Sequence, residues 1–478
     1  MATLRIPLEE RRWLTESFVD PNGRLFEWQG GLYRELSPTY APFWTDLFKQ
    51  GVVREFIRDG LFVNSEITSA ETAPGGVVVK HHRVPVVSYC FEWSPLMLKD
   101  AALLTLDLCI RLSAQELTLQ DGHPWNVLFD GPNPVFIDLS SIVPARADIL
   151  WAPYQQFCHF FLYPLYLYSA GCGRLARSLL HEYLEGVTDG DVLAGLPLSF
   201  KLRHPRRTLG ILMPRLLATM FEKLPQEMQN NFLSFSAKLN HGPARGKVRL
   251  KFLESLHKQI EEIRLPSAKS HWAKYYATSD KTYFLTDLTP ADWTAKQEAV
   301  EKILQEVSPA TVLDVGTNTG RYARMAAAKG SRVIACDLDV SAIDLCYGEA
   351  RKNRQNLLPV IANVFSRSPI PGRGGVACSP AAERFRSDFV MGLAVMHHVV
   401  ALQRLDIDRV VEAFDAMCSR WLLLEFVPPL KPKIGASPVL SLDDYSSESV
   451  QTCLRKRFKR VIRHPSYPKE RELFLCEK

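Results

Sequence analysis

From residue 311 to the C-terminus, apolar and polar positions fall into blocks that suit strands and helices in turn. Val312, Leu313 and Val315 make a short apolar run of the kind a buried parallel strand carries, and Gly316 and Gly320 follow it. Residues 321–328 then read as a helix closed by Gly330, and 332–336 form a second apolar run ended by Asp337. The rhythm continues with a helix over 340–351 and strands over 358–362, 388–395 and 421–426. A further helix and two last strands near Val461 and Leu473 complete it. This predicts an α/β fold with a seven-stranded, mostly parallel sheet and helices on both faces. Residues 367–386 are rich in Pro and Gly and read as an inserted loop.

The first half has another pattern. Two β-prone runs flank Gln29-Gly30-Gly31, a hairpin signal, and helix-like sequence continues to Ile57. Residues 77–89 are β-rich with a break at Pro85, 98–112 read as a long buried helix, and a second hairpin turns at Asp130-Gly131-Pro132-Asn133. Aromatic helices are expected over 151–168, and a helical, increasingly basic stretch over 186–265. Pro266 to Lys269 has the composition of a linker. The expected division is an α+β domain at 1–185, a helical extension at 186–269 and an α/β domain at 270–478.

Composition narrows the function classes. The 478 residues suffice for two or three domains, and 46% apolar with 23% charged residues is ordinary for a globular chain. With a net charge of +6, the basic clusters at 201–207 and 245–251 read as solvated faces, so a nucleic-acid partner is not expected, though the charge does not exclude one. The ten cysteines are scattered without a C-x-x-C, which favours reduced core thiols over a zinc site or disulfide framework. Residues 1–13 are too charged for a secretory signal, and the most apolar stretch, 157–170, is short, Tyr-rich and interrupted by Pro164. A cytoplasmic protein without a membrane span is expected.

The glycine turn carries the clearest chemistry. A dinucleotide site needs G-x-G-x-x-G, whereas this turn is G-T-N-T-G with Asp314 two residues before the first glycine. A carboxylate there suits a cofactor bearing an amine, and Asp337 falls where an acidic group meets ribose hydroxyls. VLDVGTNTG resembles motif I of the class I S-adenosylmethionine (SAM)-dependent methyltransferases; a Rossmann-type dehydrogenase and a purely structural turn are the rivals. The resemblance implies a Rossmann-like methyltransferase domain whose cofactor residues are Asp314, Gly316, Asn318, Gly320, Asp337 and Asn363. His397 and His398 are the natural candidates for a catalytic base, with a structural role for the pair as the alternative, and Glu425 is an alternative base or polar anchor. Trp272, Tyr275, Tyr276 and Tyr283 either form a lid over the cofactor or pack on helix faces. No D/N-P-P-Y signature is present, so an oxygen acceptor is favoured over nitrogen.

A second motif stands at Asp121, Asn126 and Asp138. DGHPWN is similar to the D-x-H-P-x-N loop of small-molecule phosphotransferases, which implies an N-terminal protein-kinase-like domain. In such enzymes these positions orient the acceptor hydroxyl and hold magnesium on ATP. No G-x-G-x-x-G loop precedes them. Lys80 lies after the presumed helix, and Arg34 is in the better place for the phosphate-gripping lysine but is the wrong residue. A degenerate centre is therefore expected, with ATP and magnesium as the alternative.

Together with VMHHVV, LLLEFVP and YQQFCHFFLYPL, these stretches resemble the family of host-specific nodulation methyltransferases. The resemblance implies SAM-dependent methylation of a small molecule or glycan. A bifunctional enzyme that also phosphorylates, and a non-catalytic SAM-fold scaffold, are the alternatives.

Overall fold

A computed structural model describes residues 4–17, 20–73, 75–146, 149–222, 228, 244–266, 270, 293–366, 368–372, 377–403, 405–428 and 445–478. The aromatic segment with Trp272, Tyr275, Tyr276 and Tyr283 lies outside them.

The first half opens on a five-stranded antiparallel sheet, in the order Arg12–Trp13, Gly23–Trp28, Gly31–Leu36, Val78–His81, Ser65–Ile67. The hairpin expected at Gln29-Gly30 is present. Both turn residues have positive φ, +47° and +75°, which matches the right-handed twist of the flanking strands. The β-rich stretch after Val77 yields only Val78–His81, because Pro85 cannot donate to a ladder. Beneath the sheet runs the helix Pro95–Ser113, capped by Ser94 and buried through Met97, Leu98, Ala101 and Leu108. The hairpin Val127–Asp130 with Asn133–Phe136 follows, and its last strand leads to Asp138. Tyr154–Ser169 is helical, with a π-helical turn at Cys158–Leu162, and Pro205–Glu222 and Ala244–Glu261 are longer helices.

The second half contains the expected seven-stranded sheet. Its strands are β1 Thr311–Val315, β2 Arg332–Asp337, β3 Leu357–Ile361, β4 Ser387–Gly392, β5 Cys418–Phe426, β6 Arg460–Pro465 and β7 Glu472–Glu477. Their order is 3-2-1-4-5-7-6, parallel except for β7. The helices are α1 Ala295–Val307, α2 Arg321–Ala328, α3 Val340–Lys352, α4 Met396–Gln403, α5 Ile407–Met417 and α6 Ser447–Arg455. This is the Rossmann-like architecture expected from the sequence. It brings the carboxyl ends of β1 and β4, where the strand order reverses, into one crevice. The stretch read as an inserted loop carries a two-residue ladder, Ile370–Pro371 with Ala377–Cys378, and a helical turn at Ala381–Arg384. No helix among the described residues is long and apolar enough to cross a membrane.

The halves share buried polar contacts. The Leu96 amide donates to Asp344 on α3 at 2.9 Å, and the Tyr347 hydroxyl donates to Asp100 at 2.6 Å while accepting from Arg351. Arg384 pairs with Glu92, and both side chains are under 10% exposed. Burial raises the Glu92 carboxyl above its ordinary range, and Arg384 opposes that shift. Removing one member leaves an uncompensated buried charge. Arg384→Ala should therefore lower the free energy of urea unfolding by about 3 kcal/mol, and Arg384→Met with Glu92→Met should recover most of it. A loss below about 1 kcal/mol in the single variant would contradict this pairing.

Candidate functional site

The glycine turn is built by β1, α2 and β2 together. Gly316 and Gly320 have φ of +73° and +81°, where a side chain is strained. A Cβ on Gly320 would also lie 2.4 Å from Cys346 Sγ on α3. The turn is tied to β2, because the Gly316 and Thr317 amides both donate to the Cys336 carbonyl, at 2.8 and 3.1 Å. Asn318, itself at φ +54°, donates its amide to Asp337 Oδ2 at 2.8 Å, and Asp339 donates its amide to Oδ1 at 2.9 Å. The carboxylate is thus fixed by backbone donors on both oxygens, with the Leu338 amide a third, and about one of its four acceptor sites remains. Burial raises its pKa.

Asp314 lies beneath this turn, 2% exposed, and accepts from the Thr317 hydroxyl at 2.7 Å. Burial pushes its pKa up to about 7 against that hydrogen bond, and the nearby Asp337 charge adds to the rise. Asn363 follows β3 at the surface, where its Oδ1 accepts from the Phe365 amide at 3.1 Å. Leu338, next to Asp337, keeps 52% of its surface exposed. The sequence reading passed over it because a single apolar residue after a strand has no pattern.

Beyond β4 the two histidines start α4, with ring centroids 4.0 Å apart. Burial, then the charges of His398, Arg471 and Lys296, lower the His397 pKa to about 3. Burial lowers His398 as well, opposed by the Asp337 charge.

Of the two readings of Glu425, base or polar anchor, its surroundings fit the anchor. It is 0% exposed, 2.5 Å from Lys296 Nζ on α1, 2.7 Å from the Ser466 hydroxyl and 3.9 Å from Arg471. A carboxylate so enclosed anchors β5 to α1 and the β6–β7 connection and has no surface left for an acceptor. Lys296, Ser466 and Arg471 were missed in the sequence. Lys296 sits two residues after Thr294, whose side chain and Gln297 form a capping box, so it reads there as an ordinary first-turn residue.

In the first half, Asp121, Asn126 and Asp138 do come together. Gln156 donates to Asp121 Oδ1 at 3.3 Å, and Asn126 Nδ2 lies 3.4 Å from Asp138 Oδ2. Their surroundings differ from a metal centre. Arg34, 4% exposed, pairs with both Asp20 and Asp138, the latter at 3.3 Å, and donates to the Ser140 hydroxyl at 2.7 Å. Lys80 stands exposed on the neighbouring strand, opposite Tyr33. Among the described residues no group of three His, Cys, Asp or Glu side chains is arranged to hold a metal.

No protein-family model matches the chain. It is 27% identical over 479 residues to nodulation protein NoeA of Rhizobium meliloti (strain 1021), an alignment covering 97% of this chain and 95% of that one. The likeness to a nodulation protein thus runs from end to end, as the motifs implied. Among solved structures, the bifunctional kinase-methyltransferase WbdD shares 16% identity over 46% of this chain and 45% of its own, with a TM-score of 0.30. Magnesium protoporphyrin IX methyltransferase (ChlM) of Synechocystis PCC 6803 with bound SAM shares 11% identity over 45% of this chain and 100% of its own, with a TM-score of 0.29.

Two outcomes test the site's electrostatics. Lys296→Met strands a buried carboxylate and should cost about 3 kcal/mol of stability in urea unfolding, whereas Lys296→Met with Glu425→Met should cost far less. His397 binds a proton more weakly folded than unfolded, so stability held above pH 6.5 is lost as pH falls toward 3. His397→Gln should therefore flatten the fall of Tm over that range. An unchanged pH profile would count against a buried, neutral His397.

Proposed function

We propose that the chain is a SAM-dependent methyltransferase acting on a small molecule or glycan, at oxygen rather than nitrogen. One observation carries the reading. The glycine turn and the Asp337 carboxylate are locked to each other through the Asn318 amide, at the point where the sheet order reverses.

The residues present fit the cofactor. Asp337 has unused acceptor capacity in a dehydrated setting, which suits a hydroxyl of a ribose. Leu338 offers apolar surface beside it for a base, and Asn363 follows the next strand. Asp314 is a buried acid with a raised pKa, so a cationic group held above the turn relieves its desolvation. When bound, SAM supplies an activated methyl on a sulfonium. The protein's part is to hold the acceptor in line, exclude water and take up a proton from a hydroxyl.

His397 and His398 are proposed to do the last of these. Both are neutral at physiological pH, and a neutral imidazole can accept a hydrogen bond from a hydroxyl. Their lowered pKa makes them orienting groups first and proton acceptors second. Glu425 and Lys296 support this wall without touching the acceptor.

Calorimetry with SAM and S-adenosylhomocysteine tests the reading. One site per chain is expected, and Asp337→Ala should weaken binding at least about tenfold, since hydrogen bonds to a charged group contribute roughly 1.5–3 kcal/mol. No binding, or binding indifferent to Asp337→Ala, would leave a scaffold reading in its place. Labelled SAM incubated with fractionated host extract then identifies the acceptor.

A further inference from the structure

The kinase-like centre is the part of the molecule that methyl transfer does not use, and its charges are arranged for something other than a metal. A divalent cation needs oxygen lone pairs converging on one point, and magnesium in particular demands near-octahedral oxygen geometry. Here Asp138 Oδ1 faces three donors: the Ser140 amide at 3.2 Å, the Ser140 hydroxyl at 2.5 Å and the Arg34 guanidinium at 3.3 Å. Its other oxygen faces the Asn126 amide group at 3.4 Å. Oδ1 is thus crowded by donors rather than open to a metal, and the Asn126 amide group turns its N–H toward Oδ2.

Asp20, the second carboxylate in the cluster, pairs with the same guanidinium, and the Ser140 hydroxyl lies between the two carboxylates with one proton to donate to either. One buried guanidinium therefore bridges two carboxylates that would otherwise repel each other in a dehydrated setting. Arg34 lies on Gly31–Leu36, directly across the ladder from Val79, so the strand register and not a flexible loop delivers it.

We propose that the Arg34 guanidinium is the resident cation of the kinase-like centre, standing in for a metal ion, so that the centre holds neither a divalent metal nor a metal-chelated nucleotide. The fixed charge also explains how Asp121, Asn126 and Asp138 keep a phosphotransferase-like arrangement without that chemistry. Arg34 neutralises Asp138 permanently, and the loop geometry no longer depends on a bound ion. A guanidinium cannot be released or exchanged, so this half serves as a rigid support for the other.

The test uses the full chain and Mn²⁺, whose binding is read by electron paramagnetic resonance with and without ATP. The wild type is expected to bind no Mn²⁺ or Mn²⁺–ATP that Asp138→Asn removes. Arg34→Met keeps the apolar stem, frees both carboxylates and should gain a Mn²⁺ site at least about tenfold tighter than any on the wild type. Asp138→Asn added to Arg34→Met should abolish that gain. Wild-type binding of Mn²⁺–ATP that is lost in Asp138→Asn would overturn the proposal. So would a folded Arg34→Met protein, judged by circular dichroism, without a new site. Should Arg34→Met not fold, the comparison of wild type with Asp138→Asn decides alone.

Discussion

The Tyr347 hydroxyl donates a hydrogen bond to Asp100 and accepts one from Arg351, and this small network holds α3 between the two halves. At its N-terminus the same helix is capped by Asp339, whose amide fixes one oxygen of Asp337. Its middle carries Cys346, against which Gly320 packs too closely for any side chain. A single helix thus sets the position of the acidic group and the height of the glycine turn, and is itself set by the helix Pro95–Ser113. The kinase-like half need not react in order to matter. It supplies Asp100, the Leu96 amide and Glu92, against which the other half is fixed.

Burial of charge is the constraint that recurs. Glu425 with Lys296 and Glu92 with Arg384 are enclosed carboxylates matched to a cation from a distant part of the chain, and the half-buried Asp20 and Asp138 share the buried Arg34. Such pairs are costly to desolvate and costlier to break, so they specify one arrangement of elements more than they add net stability. Asp314 differs. It accepts from the Thr317 hydroxyl, and burial raises its pKa to about 7 although the Lys296 charge opposes the rise.

The strand-turn-helix at Val312 to Asp337 was legible because its signals are local. Glycines at positive φ, a buried apolar run and an acid at the next strand end all fall within one βαβ unit. The Asp121, Asn126 and Asp138 loop was legible for the same reason. What the sequence concealed were the partners. Lys296 and Glu425 are 129 positions apart, and Arg34 and Ser140 are 106 apart, so neither pairing has a spacing to read. The sequence suggested the right place for Arg34, but not the Asp20 and Asp138 that stand beside it. Glu425, base or polar anchor in the sequence, shows the same limit. A glutamate at a strand end facing a crevice suggests chemistry, and only the fold reveals that it is sealed.

The central claim is that one cradle at the strand ends takes the cofactor and is braced by the kinase-like half through α3. Amide hydrogen exchange of the full chain with and without S-adenosylhomocysteine tests it most directly. The account predicts slower exchange at Gly316 to Gly320 and at Asp337 to Asp339, extending along α3 to the amide of Leu96. Unchanged exchange at the glycine turn, or protection confined to the Asp121 to Asp138 loop, would contradict it.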